Sequence, residues 1–195
     1  MIKGNHLSTI LRSPKTVFST EDIALIWHEE LTAATRVRIN YYVTSGDLIC
    51  IRNGLYAKDH TYNKLELATR ILTPSYVSFE TVLAREGLVF QFYAPIFVAS
   101  YANREIIVDA QSYRFRRLKP EILMDSTGVK HFDQTSMAIR ERALLDMLYL
   151  KEDYYFDNLR SLDWELIRTI LPIYKNQRLV RTINRMYKKE QKSVE

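Results

Sequence analysis

Residues 17–58, VFSTEDIALIWHEELTAATRVRINYYVTSGDLICIRNGLYAK, decide the fold. Ser19-Thr20-Glu21-Asp22 is a helix-capping pattern, in which the Ser19 hydroxyl accepts from the Asp22 amide. Phe18 just before it and Ile23 just inside it have the spacing of a hydrophobic staple. Ile23, Ile26 and Trp27 then recur at helical spacing. Thr32 is the expected cap of a second helix, and Gly46 the left-handed residue that ends it. Leu48 to Arg52 reads as a strand. Asn53-Gly54 reads as a type I′ hairpin turn, whose two central residues both take positive φ, and Leu55-Tyr56-Ala57 returns. Helix, turn, helix and tight ribbon, in that order, make a winged helix-turn-helix.

The second helix has two distinct sides. Thr35, Ile39, Tyr42 and Val43 fall together and predict the buried one. At about 100° per residue, Ala33, Val37, Asn40, Tyr41 and Thr44 face away, with Arg36 and Arg38 on the flanks. An outward valine and tyrosine are odd on a solvated helix but suit one lying in a major groove. There Val37 would meet a thymine methyl, Asn40 would pair with adenine, and either arginine with guanine. Thr32 at the helix start completes this set of expected DNA contacts, together with Arg52, Asn53 and Lys58 of the wing at phosphate or minor groove. Two plainer readings stand beside it. A small structural winged helix can dock protein instead, and Arg52 and Lys58 can be ordinary strand-edge charges.

The chain has 195 residues, a formal net charge of +5 and one cysteine. At that length about 70% of the unfolded surface can be buried without staples. A single cysteine forms no intrachain disulfide, so a reducing cytoplasm is the expected home; Cys50, among apolar neighbours, is expected in the core. No apolar run approaches the ~20 residues of a membrane span, and the first residues lack the apolar core of a signal peptide. Residues 175–195 carry seven Lys/Arg (Lys175, Arg178, Arg181, Arg185, Lys188, Lys189, Lys192) against two acids, so the whole positive excess sits there. That tail reads either as a phosphate-binding footprint or as solvated surface.

The remainder reads as an α+β unit. Residues 5–12 predict a short helix capped at Asn5, with Leu7, Ile10 and Leu11 inward, ended by Pro14. Residues 1–60 then form the winged-helix domain and 61–195 a second domain, with a small, mostly antiparallel sheet and a basic terminal helix. Residues 62–72 predict a helix stopped before Pro74, and 75–88 a short strand or turn into a helix capped at Gly87. Residues 97–101, 104–108 and 111–118 predict strands, the last alternating Tyr113 and Phe115 with arginines, and His131-Phe132 a further short one. Residues 137–150 predict an amphipathic helix striped by Ile139, Ala143, Leu144, Met147 and Leu148. Residues 162–171 and 176–191 predict two more.

The residues offer little chemistry. His6, His28, His60 and His131 have no partners at metal-ligand spacing, and no P-loop or dinucleotide-binding glycine pattern occurs. Glu141 and Asp146 fall about 140° apart on a helix, too far round to act as a pair. Arg140 and Arg142 read as solvated charge or an anion contact. The expectation is no enzyme, no catalytic residues, no metal and no cofactor.

The combination of STEDIA, RVRINYYVTSGDLI and RNGLYA with SYVSFETVL and AIRERALLDMLYL resembles the AbiEi antitoxins of type IV toxin–antitoxin and abortive-infection systems. The resemblance spans nearly the whole chain. It implies a winged-helix repressor that binds inverted repeats in its own operator, and a C-terminal domain that counters a nucleotidyltransferase toxin. It implies double-stranded DNA as partner, read by residues 32–45 and the wing at Arg52-Asn53-Gly54, by a monomer or weak dimer with no membrane contact. A plain winged-helix transcriptional regulator without a toxin is the alternative.

Overall fold

The capping signals set the helix boundaries in a computed structural model that describes residues 6–192, with side chains to residue 191. Asn5, the expected first cap, lies outside the described residues. Ser19 caps α2 (Thr20–Ile26): its hydroxyl accepts from the Asp22 amide at 3.1 Å, while its own amide donates to the Asp22 carboxylate at 3.0 Å. Thr32 does the same for α3 (Ala33–Thr44) in exchange with Thr35. Gly46, at φ 83°, turns the chain out of α3. These local bonds satisfy amides that a helix start leaves unpaired.

The chain is α+β and divides into two units, residues 1–71 and 72–195. In the first, α1 (His6–Arg12), α2 and α3 precede a hairpin of β2 (Ile49–Arg52) and β3 (Leu55–Ala57). β3 also pairs antiparallel with β1 (Val17–Ser19), a strand outside the expected two-stranded ribbon, so the sheet has the order β1-β3-β2. Ile10, Phe18, Ile23, Trp27, Ile39 and Leu48 form the core, with Leu7, Ile26, Tyr42 and Val43 packed against it. Leu11 is instead exposed: on a seven-residue helix only the Leu7 and Ile10 side reaches that core.

Three local expectations are corrected. The hairpin at Asn53-Gly54 is present, but only Gly54 has positive φ (80°), and the register slips between Cys50 and Arg52. A one-residue bulge thus does the work assigned to a type I′ turn. Cys50 is exposed, because strand alternation turns Ile49 and Ile51 inward. The first unit also runs past residue 60 through α4 (Lys64–Ile71). Buried Glu66 accepts from the Thr16 amide and hydroxyl at 2.9 and 2.6 Å, and Arg70 pairs with Asp22 at 2.9 Å.

Asp22 makes this unit sensitive to acid. Burial pushes its carboxyl up, but the Lys15 ammonium at 2.6 Å, the Ser19 amide and the Arg70 charge outweigh burial and hold it below its ordinary value. A depressed folded pKa gives stability that is present above the unfolded value of about 4 and lost as pH falls through the folded value. Asp22→Asn should therefore lower the neutral-pH stability of this unit and flatten its decline below about pH 4. Trp27 fluorescence in a Trp164→Phe background, followed in urea, reads this; an unchanged pH slope contradicts it.

The second unit holds a six-stranded sheet, larger and more mixed than expected. Its strands are β4 (Ser75–Val77), β5 (Ile96–Ser100), β6 (Arg104–Val108), β7 (Gln111–Arg117), β8 (Val129–Phe132) and β9 (Thr135–Ala138), in the order β6-β7-β5-β4-β9-β8. Pairs β4–β5, β6–β7 and β8–β9 are antiparallel, while β5–β7 and β4–β9 are parallel. Residues 137 and 138 belong to β9 rather than to the following helix, because Met137 pairs with Val77 of β4. Helices α5 (Phe79–Arg85), α6 (Pro120–Leu123), α7 (Arg140–Leu150) and α8 (Trp164–Ile170), a 3-10 turn at Leu171–Tyr174 and α9 (Gln177–Lys192) complete the unit.

α7 is buried from Glu141 to Leu148, not along a stripe. At its centre Arg142 and Asp146, both fully buried, pair at 3.3 Å, so the solvated-charge reading of Arg142 fails. Tyr76 in β4, Ser78 just after it, and Tyr174 all donate hydroxyl bonds to Asp146. Arg142 also donates to the carbonyls of Thr127 and Ile122. Burial works against the guanidinium, but Asp146 and the two tyrosines hold it firmly protonated. Gly128, at φ 77°, lets the β8 approach pass: a Cβ there would stand 2.9 Å from the Arg142 Cβ.

Candidate nucleic-acid interface

α3 turns Thr35 and Ile39 inward and leaves Ala33, Arg36, Val37, Asn40, Tyr41 and Thr44 exposed, the division its periodicity predicts. Val37 is 71% and Tyr41 65% exposed, among the most exposed large apolar side chains of the chain. Its outward side is about as apolar as its inward one. From Ala33 to Thr44 this face runs about 16 Å at 1.5 Å per residue, room for roughly five base pairs at 3.4 Å each. Ala34, also exposed, lies nearer the centre of the face than either arginine at about 100° per residue. A small alanine in the first turn was the only signal for it.

The flanking charges differ from one another. Arg36 is exposed and stands close enough to Glu21 to help lower that carboxyl, after its own backbone amide and the Ser19 and Thr20 hydroxyls. Arg38 is instead committed within the unit: its guanidinium holds both Glu29 oxygens at 2.6 and 2.7 Å and the His6 ring at 3.1 Å, and lies over the Trp27 ring. Trp27 in turn donates to the His6 carbonyl at 2.9 Å. Arg38 thus ties α1 and α3 to the segment after α2 through its Nη1. Helical periodicity places Arg38 on the flank of the outward face and misses this contact, which depends on the turn at residues 27–32 that brings Glu29 to α3.

On the hairpin, Arg52 and Asn53 are exposed at the tip. Lys58 is not: its ammonium donates to the Leu11 and Ser13 carbonyls at the end of α1 and lies 5.8 Å from the Phe18 ring centre. It neutralises a helix C-terminus, where a cation is favoured. Thr32 spends its hydroxyl on the α3 cap. The structure therefore places Ala33, Arg36, Val37, Asn40, Tyr41 and Thr44 on the exposed side of α3 and leaves Arg52 and Asn53 exposed at the hairpin tip, while Thr32, Arg38 and Lys58 make bonds within the unit.

In the second unit, the basic residues of α9 keep one helical side. Arg181, Arg185 and Lys188 are exposed, while Arg178 pairs with Glu152 at 3.5 Å and donates to the Tyr149 carbonyl. Leu179, Thr182 and Ile183 face inward. Among the described residues no cluster of three or more His, Cys, Asp or Glu side chains could hold a metal ion, and no helix is long and apolar enough to cross a membrane. Neither the known protein-family models nor the curated proteins give a match to this chain.

Proposed function

We propose that residues 1–71 are a winged helix-turn-helix that binds double-stranded operator DNA, with α3 as the recognition helix and the β2–β3 hairpin as the wing. The observation that carries this is the outward face of α3, where Val37 and Tyr41 stand exposed beside Asn40 and Arg36. Side chains of these types match base edges and thymine methyls in a major groove. Arg52 and Asn53 at the hairpin tip suit a phosphate or minor-groove contact. With Arg38 and Lys58 engaged internally, few phosphate contacts are made per copy, so paired half-sites of an inverted repeat supply the affinity.

The chain is further proposed as the antitoxin and autorepressor of a type IV toxin–antitoxin pair in the cytoplasm, its second unit countering a nucleotidyltransferase toxin. That half is supported by the resemblance of residues 75–88 and 141–146 to AbiEi antitoxins. Gel shifts at about 0.15 M ionic strength, with the region upstream of the coding sequence against unrelated DNA of equal length, test the DNA half. Preferential retardation of the upstream fragment is expected, and equal binding of both fragments contradicts it. Co-expression with the adjacent open reading frame tests the second half. Growth rescue supports the antitoxin, and a harmless neighbour leaves a plain transcriptional regulator.

A further inference from the structure

The most exposed aromatic side chains of the second unit gather on two loops that are bonded to one another. Asp157 and Asn158 donate their amides to the Leu88 carbonyl, and the Phe90 amide donates to the Asp157 carboxylate at 2.8 Å. The Tyr93 and Tyr154 hydroxyls meet at 3.0 Å. Zipped together in this way, the loops hold Phe90, Phe92 and Tyr155 out at 73%, 87% and 77% exposure. Between them lies an open hollow of about 420 Å³, lined by Phe90, Tyr93, Tyr154 and Tyr155 with Asp153 and Asp157. Lys151 already places its ammonium 5.7 Å from the Tyr154 ring centre, so one wall is in a cation–π contact.

We infer that this hollow is a docking site for a basic segment of a protein partner, one arginine or lysine entering the aromatic walls and meeting the carboxylates. Aromatic faces attract cations, and rigid exposed aromatics with a polar rim are the usual anchors of protein interfaces. The charge favours this occupant: Asp153 and Asp157 line the hollow against Lys151, Glu152 being paired with Arg178 outside it, and residues 88–94 carry no charge. Carboxylates at the mouth repel the phosphates of a nucleic acid, and they would be stripped of water in a lipid headgroup layer. Phe92 lies outside the hollow, where it would cover the apolar flank of the incoming segment.

The inference does not depend on DNA reading by α3, and its test separates the two. Calorimetry on the full chain uses an amidated peptide of alternating arginine and leucine, its glutamate–leucine counterpart, and tetramethylammonium. The arginine peptide should bind, the glutamate peptide should not, and Phe90→Ala/Tyr155→Ala should weaken binding at least tenfold. The same variant should melt and retard upstream DNA as the parent does, both side chains being largely outside the core. Equal binding of both peptides, unchanged binding by the variant, or displacement of the peptide by an equimolar amount of tetramethylammonium overturns the proposal.

Discussion

Arg142→Ala is expected to destabilise the second unit by about 3–5 kcal/mol, the cost of leaving one half of a buried ion pair alone. The side chain is fully buried, and its loss strands the Asp146 carboxylate among three hydroxyls. Two backbone carbonyls, of Thr127 and Ile122, lose their donor as well. Against a typical domain stability of about 5–15 kcal/mol, that loss is a large fraction. Asp146→Asn keeps the shape but leaves the buried Arg142 guanidinium without its counter-charge and turns one accepting oxygen into a donor, so a comparable cost is expected. Urea denaturation read by Trp164 fluorescence in a Trp27→Phe background gives both numbers. If Arg142→Ala unfolds at the parent's midpoint, the network is not what holds α7 to β4.

Asn40→Ala is expected to weaken operator binding by about 1–3 kcal/mol, roughly five- to 150-fold, and to relax preference at one base pair. Tyr41→Ala on the same face should weaken the same complex with no loss of folding, since neither side chain enters the core. Arg38→Ala should do the reverse. It frees Glu29 and His6 and loosens α1 against α3, so the melt of the first unit falls while base preference is kept. Fluorescence anisotropy with a single-substitution operator series separates these outcomes. Loss of preference at one position in Arg38→Ala would return that arginine to the base-reading set.

The two halves of the chain were not equally legible. In the first unit the decisive signals are local: a serine three residues before an aspartate, a glycine after a helix, and apolar residues at helical spacing. Each acts over a few residues, so the caps at Ser19 and Thr32 and the two sides of α3 could be read from the order of letters. What failed there depended on a third element, as with Arg38 reaching Glu29, Lys58 reaching the end of α1, and α4 joining through Glu66. In the second unit the i, i+4 spacing of Arg142 and Asp146 was visible, but their burial was not. Their partners lie at Tyr76, Ser78 and Tyr174, and the parallel pairing of β9 with β4 brings α7 to the first two while the turn after α8 brings the third. No local pattern encodes a crossover of that kind.

Hydrogen–deuterium exchange of the full chain, with and without the upstream DNA, tests the central proposal most directly. Slowed exchange over residues 33–44 and at the 52–54 turn is expected when DNA is added, with the 88–94 loop unchanged. Protection confined to residues 177–192, with α3 exchanging as in the free protein, would contradict it and leave the basic terminal helix as the nucleic-acid contact.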